Sequence, residues 1–170
     1  RVAKLMENIF STISTNRYLI TLVDDCSINR RFIPHVQNVS GVRSFRLEEQ
    51  KGFGAAVNYA LSHPWVFSSN PKKQIPFVCI IQSDAYPEGN HWLSSMGETL
   101  ERMKVEGVKM VAPLTNNPMS NLEILKGARG EPRKDEILKE GFLPFYCVLC
   151  NRELFNRVGL LKEYPYAGYE

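Results

Sequence analysis

The sequence predicts an α/β fold in which a mostly parallel, mixed sheet is flanked by helices. Three observations support this prediction: segments with helical spacing alternate with short apolar runs, the runs are rich in β-branched residues, and two of them end in carboxylates. The chain has 170 residues, a size at which one domain buries a sizeable core. We therefore expect a single domain over residues 1–170.

The first helix is predicted from the spacing of its apolar residues. They recur at i, i+3, i+4, i+7, i+8 and i+11, which puts them on one face of a helix. They are Val2, Leu5, Met6, Ile9, Phe10 and Ile13. An apolar face of this kind needs another element to cover it.

The later elements alternate in type. Strands are predicted at about 18–23, 42–47, 77–82, 108–112 and 142–149. Helices are expected behind Gly54, from Trp92 onward and at about 152–158. Residues 64–76 are predicted to form a loop, and residues 114–141, rich in Asn, Gly, Pro and charge, a mobile functional loop.

The composition limits the classes of function. The chain has 21 basic and 18 acidic residues and a formal charge of +3, a balance that does not indicate a nucleic-acid partner. No apolar run approaches the ~20 residues that a membrane-spanning helix needs. We expect a cytoplasmic or membrane-peripheral protein without a transmembrane segment.

The four cysteines lie in or beside predicted strands. Cys147 and Cys150 have the C-x-x-C spacing of many zinc and redox sites, but no second Cys or His pair accompanies them at a ligand spacing. The surrounding residues are apolar. We therefore expect buried free thiols and no metal centre there.

Carboxylates follow two of the apolar runs directly. Residues 18–23 lead into Asp24 and Asp25, and residues 77–82 lead through a serine into Asp84. Open α/β sheets build ligand crevices at the carboxyl ends of their strands. The two ends together therefore predict one binding site, whereas either alone could equally be an Asp that caps a solvated turn.

Four short segments stand in an order that resembles a known family. They are Val23-Asp24-Asp25-Cys26-Ser27, Lys51-Gly-Phe-Gly-Ala-Ala-Val-Asn58, Ile81-Gln-Ser-Asp-Ala-Tyr-Pro87, and Asn151-Arg-Glu-Leu-Phe-Asn-Arg-Val-Gly159 with Gly168-Tyr-Glu170. In this order they resemble the motifs of the family 2 glycosyltransferases, inverting enzymes of the GT-A fold that use nucleotide sugars. In motif style the chain is most similar to the rhamnosyltransferase-like members.

The resemblance implies hexosyl or deoxyhexosyl transfer from a UDP or dTDP sugar to a glycan or other hydroxyl acceptor, as in polysaccharide biosynthesis. It implies that Asp84 holds Mn²⁺ or Mg²⁺, a hard cation that suits a departing diphosphate. It puts a catalytic residue at Glu170, at the start of the family's Glu-Asp motif, and the catalytic base at the acid that follows Glu170. The nucleotide-binding roles that it implies fall on Asp24, Asp25, Lys51, Gly52 and Ser83.

The chain departs from the family pattern at several points. Cys26 stands where the family usually has Gly, and Gln82 where it usually has an acid, which implies weaker metal binding. The family also begins with a strand before its first helix and continues its Glu-Asp motif past the position of Glu170. We therefore expect a longer parent chain that supplies this strand ahead of residue 1 and an Asp after Glu170.

Other functions stay open at this stage. A catalytically silent nucleotide-sugar-binding or scaffolding module would keep the same fold, and Gln82 favours it. A GT-A-like nucleotidyltransferase lacks support, because no Gly-rich, Arg-containing loop follows a first strand. The Gly52-x-Gly54 pair lacks the third glycine of a dinucleotide fingerprint. Three aromatic residues of the polar tail are candidates to line a sugar site: Tyr164, Tyr166 and Tyr169.

Overall fold

The computed structural model describes residues 1–13, 18–28, 39–63, 75–113 and 145–163. Within them, helices and strands alternate along much of the chain, which confirms the predicted α/β class. The elements are α1 Val2–Thr12, β1 Ile20–Asp24, β2 Val42–Arg46, α2 Phe53–Leu61, β3 Phe77–Ile81, α3 Trp92–Arg102, β4 Met110–Val111, β5 Cys147–Asn151 and α4 Glu153–Val158. A short 3-10 helix at Met103–Glu106 follows α3.

The predicted elements fall close to the observed ones. The exception is the last strand: it was expected at 142–149 but begins at Cys147, since residues 145–146 form a turn. Of the predicted loops, residues 64–74 and 114–141 lie outside the described residues, as do the three tail tyrosines. No helix among the described residues is both long and apolar enough to cross a membrane.

The described strands form two sheets. β1 and β2 pair in parallel, from Ile20 opposite Val42 to Asp24 opposite Arg46. In the other sheet β5 lies between β3 and β4 and is antiparallel to both. This differs from the mostly parallel, mixed sheet of the prediction: among the described strands only β1 and β2 pair in parallel, and both pairings of β5 are antiparallel.

The largest packed region surrounds β5. Val148 and Cys150 are fully buried against Leu61 of α2 and Phe155 of α4. The alternate residues Cys147 and Leu149 pack against an apolar set that includes Leu93, Met96 and Leu100 of α3. β5 therefore has helices on both faces, as buried strands of α/β proteins do.

The C-x-x-C pair is split by this arrangement. Cys147 belongs to the cluster on the α3 side and Cys150 to the cluster on the other face. Both thiols are free and buried, as predicted, and burial raises the pKa of Cys150 to about 12. Neighbouring residues of a strand alternate between its faces, so the two thiols cannot bind one metal ion together.

Asn58 of α2 fastens the chain that follows α4. Its side-chain amide is buried, donates to the Leu161 carbonyl oxygen (2.8 Å) and Glu163 Oε1 (3.0 Å), and accepts from the Leu161 N–H (2.9 Å). A buried amide with three partners is a stable cross-link, because each lost partner would leave a polar group unsatisfied. Residues 161–163 are thereby held on α2.

Candidate functional site

A cleft of about 1020 Å³ separates β1 from β3, and the carboxyl ends of both strands border it. Asp25 lines this β1–β3 cleft from the β1 side, and Gln82, Ser83 and Asp84 line it from the β3 side. The two acidic strand ends that the sequence singled out therefore border one cavity. A position of this kind is where α/β proteins commonly bind ligands.

Asp24 takes part in an internal ion pair. Its carboxylate accepts from the Arg46 guanidinium and, at 3.0 Å, from the Ser27 N–H. The same guanidinium donates to the Ser27 carbonyl oxygen at 2.8 Å. Only 12% of the Asp24 side chain is exposed, and Asp24 does not line the cleft. Asp24 thus holds the turn after β1 in shape.

These contacts set the ionisation of Asp24. Partial burial by itself raises the pKa of Asp24, but hydrogen bonds from Ser27 and the positive charge of Arg46 outweigh it, so the pKa lies below its ordinary value of 3.8. The carboxylate is therefore charged under physiological conditions. The Asp24–Arg46 pair joins the ends of β1 and β2.

Arg46 was not recognised as a site residue from the sequence. It stands at the last position of β2, directly opposite Asp24 in the parallel register. The sequence does contain one signal: β2 ends in a basic residue, and the neighbouring strand β1 ends in an acidic one. Using that signal requires the pairing of β1 with β2, which spacing along the sequence does not provide.

Asp25 holds the loop that leads into α2. Its two carboxylate oxygens accept from the backbone N–H groups of Lys51 (2.7 Å) and Gly52 (2.8 Å). Gly52 has φ 92°, a left-handed conformation that favours glycine. A carboxylate has about four lone-pair sites, so Asp25 retains acceptor capacity toward the cleft that it lines.

Lys51 and Gly52 therefore contact Asp25 through their backbone. The Lys51 ammonium lies 3.2 Å from a carboxylate oxygen of Glu49 at the surface. A half-exposed pair of this kind contributes little to stability, so the Lys51 side chain is available to rearrange. The backbone N–H groups of Lys51 and Gly52 contact Asp25, but neither residue lines the cleft, so their predicted place beside the nucleotide stays a prediction.

Cys26 adopts a conformation that suits glycine better. Its φ is 55°, and no other described non-glycine residue has a positive φ. Its thiol lies 3.4 Å from the Glu48 carbonyl oxygen and 3.5 Å from an Arg46 nitrogen. The turn thus has the left-handed geometry that a glycine would adopt without strain. With a cysteine there, the side chain costs about 1–2 kcal/mol in steric strain.

Asp84 lies in the turn that ends β3. The Ala85 N–H donates to the Gln82 carbonyl oxygen at 3.1 Å, and both Ser83 and Asp84 are exposed. In the described part of the chain the Asp84 carboxylate has neither a hydrogen-bond nor an ion-pair partner. Unlike Asp24 and Asp25, it is therefore open to a ligand.

No group of three or more His, Cys, Asp or Glu side chains among the described residues forms a candidate metal site. Asp84 alone offers one carboxylate, which suits Mg²⁺ or Mn²⁺ held mainly by phosphate oxygens and water better than a closed protein site. Glu170, the predicted catalytic residue, lies outside the described residues. Comparisons with protein-family models, curated proteins and solved structures find no match to this chain.

Proposed function

We propose that this chain is the GT-A-type domain of a metal-dependent inverting glycosyltransferase, which moves a sugar from a UDP or dTDP sugar to an acceptor hydroxyl. One observation carries the proposal: Asp25 and Asp84, from two different strand ends, border the same cleft. Asp25 is fixed by backbone donors, while Asp84 has no partner in the described chain. The motif order of the sequence supports the same assignment.

Asp84 is the residue that would hold the cation. Its exposed carboxylate would share Mn²⁺ or Mg²⁺ with the donor's diphosphate, and the cation would supply charge neutralisation for the leaving nucleoside diphosphate. Gln82 also lines the cleft, and its side chain is a neutral amide. A carboxylate at this position would add a second negative charge beside the cation. The free protein is therefore expected to bind the cation weakly and to bind it better with nucleotide present.

The nucleotide would lie along the β1 side of the cleft. The remaining acceptor capacity of Asp25 suits the N–H of a pyrimidine or a ribose hydroxyl, and the Lys51 ammonium suits a phosphate. The Ser83 hydroxyl can donate or accept from the β3 side. Asp24 would support nucleotide binding only indirectly, by holding the turn after β1 in shape, because its carboxylate is bound to Arg46 and Ser27.

Glu170 is proposed to act in catalysis at the acceptor hydroxyl. It would act together with the acid expected after it, since a general base must approach that hydroxyl within about 2.6–3.2 Å and be unprotonated when it does so. Glu170→Gln should therefore abolish transfer while leaving donor affinity unchanged. If Glu170→Gln transfers sugar at the native rate, the proposed role of Glu170 is wrong, whereas the roles of Asp25 and Asp84 are not affected.

Calorimetry with UDP and dTDP tests the metal role of Asp84. We expect nucleotide affinity to require Mn²⁺ or Mg²⁺ and to fall at least tenfold in EDTA and in Asp84→Ala, because the link between protein and diphosphate is lost. Glu88→Ala is the matched control, an exposed carboxylate of the same connection that does not line the cleft. Equal affinity in EDTA, or in Asp84→Ala, would rule out the proposed site.

A second candidate is a nucleotide-sugar-binding module without catalysis. Gln82 favours it, because an amide lines the cleft beside Asp84 where the family usually has an acid. Incubation with UDP-sugars, dTDP-sugars and a glycan acceptor separates the two functions. Metal-dependent binding with no release of UDP or dTDP, even in a parent chain that extends beyond both ends of this sequence, would favour the binding module.

A further inference from the structure

α1 carries a stripe of polar side chains beside its apolar face. The members of this polar stripe recur every four residues, which places them one above the other along the helix: they are Lys4, Asn8 and Thr12. Each of them contacts either the β3–α3 connection, residues 82–91, or the first residue of α3. Asp84 belongs to this connection. α1 therefore contacts the segment of chain on which the proposed cation site lies.

Two members of the polar stripe fasten the connection just after Asp84. The Lys4 ammonium lies 4.8 Å from the centre of the Tyr86 ring, a cation–π contact. Asn8 Nδ2 donates to the Pro87 carbonyl oxygen at 2.9 Å. The second contact is directional and partly buried, so it holds the backbone of the connection at one place on α1.

The other fixed point of this segment is the end of β3. The Gln82 N–H donates to the Tyr146 carbonyl oxygen at 2.8 Å. Among the described residues, the backbone of residues 83–87 has a single backbone–backbone hydrogen bond, from the Ala85 N–H to the Gln82 carbonyl oxygen at 3.1 Å. Asp84 thus lies between two fixed points, one at Gln82 and one at Pro87.

The fixed point at Pro87 is close enough to confine Asp84. Three residues of chain span at most about 11 Å. Ser83 and Asp84 are themselves exposed, so burial does not hold them. A short segment fixed at both ends samples fewer conformations than one fixed at one end only. The contact of Asn8 with Pro87 therefore limits the positions that the Asp84 carboxylate can take.

The residue type at Asn8 is unfavourable for α1 by itself. Asparagine is a poorer helix former than alanine or leucine. Asn8 Oδ1 is buried and has no hydrogen-bond partner among the described residues, and a buried polar atom without a partner lowers stability. An apolar side chain would avoid both costs. The hydrogen bond to Pro87, by contrast, requires the Nδ2 donor, so the contact with the connection explains the amide.

We propose that Asn8 is a positioning residue for Asp84, which holds the β3–α3 connection on α1 so that the Asp84 carboxylate meets the cation and the diphosphate in one place. The inference rests on the proposed function of Asp84. Asn8 does not line the β1–β3 cleft, so it acts by raising the fraction of molecules in which Asp84 is ready to bind. The apparent dissociation constant equals the intrinsic one divided by that fraction.

Calorimetry on Asn8→Leu tests the proposal. Leucine branches at the same carbon as asparagine, adds no charge and cannot donate a hydrogen bond. With Mn²⁺ present, we expect the dissociation constants of UDP and dTDP to rise about three- to tenfold. The melting temperature should change little, because the buried Oδ1 without a partner is lost together with the hydrogen bond. Native affinity in the folded variant would overturn the proposal.

Thr12→Val is the matched control on the same polar stripe. It keeps the branched shape and removes the hydroxyl that accepts from Trp92 Nε1–H at 3.0 Å. That contact joins α1 to α3 and not to residues 82–87, so nucleotide affinity should stay at the native value. An equal loss of affinity in Thr12→Val and Asn8→Leu would show that the docking of α1 as a whole matters, and the specific role of Asn8 would be wrong.

A double-mutant cycle with Asp84→Ala identifies the residue through which Asn8 acts. If Asn8 positions Asp84, Asn8→Leu should not change nucleotide affinity further once Asp84 is replaced by alanine. The same fold-loss in both backgrounds would mean that Asn8 affects a different part of the site. That result would contradict the proposal even if the single variant behaves as expected.

Amide hydrogen exchange without ligand separates this inference from the proposed function. In Asn8→Leu the Ala85 N–H should exchange about tenfold faster than in the native protein, whereas the Gln82 N–H, bound to Tyr146, should keep its native rate. Unchanged exchange at Ala85 would overturn the inference, whatever the nucleotide does. Faster exchange there, in a chain whose native form binds neither UDP nor dTDP with Mn²⁺, would refute the proposed function and leave Asn8 as the residue that holds the Asp84 turn.

Discussion

β1 and β5 have similar lengths and similar apolar sequences, yet they are stabilised in different ways. The first four residues of β5 are buried, because strands lie on both its sides and helices on both its faces. Every residue of β1 is only partly buried, and β1 has one strand neighbour in the described chain. At its carboxyl end β1 depends instead on the contacts of Asp24 and Asp25. An apolar run therefore predicts a strand but does not predict how deeply the strand is buried.

The largest expected effect is on the free energy of unfolding, when a leucine is replaced by alanine in each of the two strands. Leu149→Ala in β5 should cost about 2–5 kcal/mol of unfolding free energy, because Leu149 is 4% exposed and its loss leaves a cavity among buried apolar side chains. Leu22→Ala in β1 should cost roughly 1–2 kcal/mol, since Leu22 is partly buried and borders the open cleft. Urea denaturation measures both. Equal losses would refute the contrast between the two strands.

The next effect is specific to the β1–β2 pair. The folded-state pKa of Asp24 lies below its ordinary value of 3.8, so its charged form stabilises the fold at higher pH. This contribution is fully present above about pH 5 and is lost as the pH falls through the folded-state pKa. The melting temperature of the native protein should therefore fall more steeply in acid than that of Asp24→Asn.

Glu7→Gln is the matched control for this acid titration. Glu7 is an exposed carboxylate on α1, and the ion pair of Arg46 is with Asp24. The melting temperature of Glu7→Gln should fall in acid as steeply as that of the native protein. If Asp24→Asn and Glu7→Gln give the same profile as the native protein, the Asp24–Arg46 pair does not stabilise the fold.

The smallest effect concerns the left-handed turn at Cys26. Cys26→Gly removes the steric cost of a side chain at φ 55°, whereas Cys26→Ala keeps that cost and removes only the thiol. The Gly variant should be more stable than the Ala variant by about 1 kcal/mol in urea denaturation. A more stable Ala variant would mean that the backbone there relaxes without strain.

The parts that the sequence predicted well depend on local patterns. The apolar face of α1 and the acidic ends of β1 and β3 follow from neighbouring residues, and the observed elements agree. The Asp24–Arg46 pair was missed because it depends on which strands lie side by side. The antiparallel direction of β5 was missed for a similar reason, because residue spacing along the chain does not determine which strands pair or in which direction.

Asn58 limits the reach of the chain beyond α4. Its hydrogen bonds to Leu161 and Glu163 make a fixed point on α2, the helix that starts beside the loop held by Asp25. An extended chain spans at most about 3.3–3.6 Å per residue. Whatever path the tail takes, Glu170 therefore stays within roughly 25 Å of Glu163. Asn58→Ala would remove this fixed point and so enlarge the volume that Glu170 can reach.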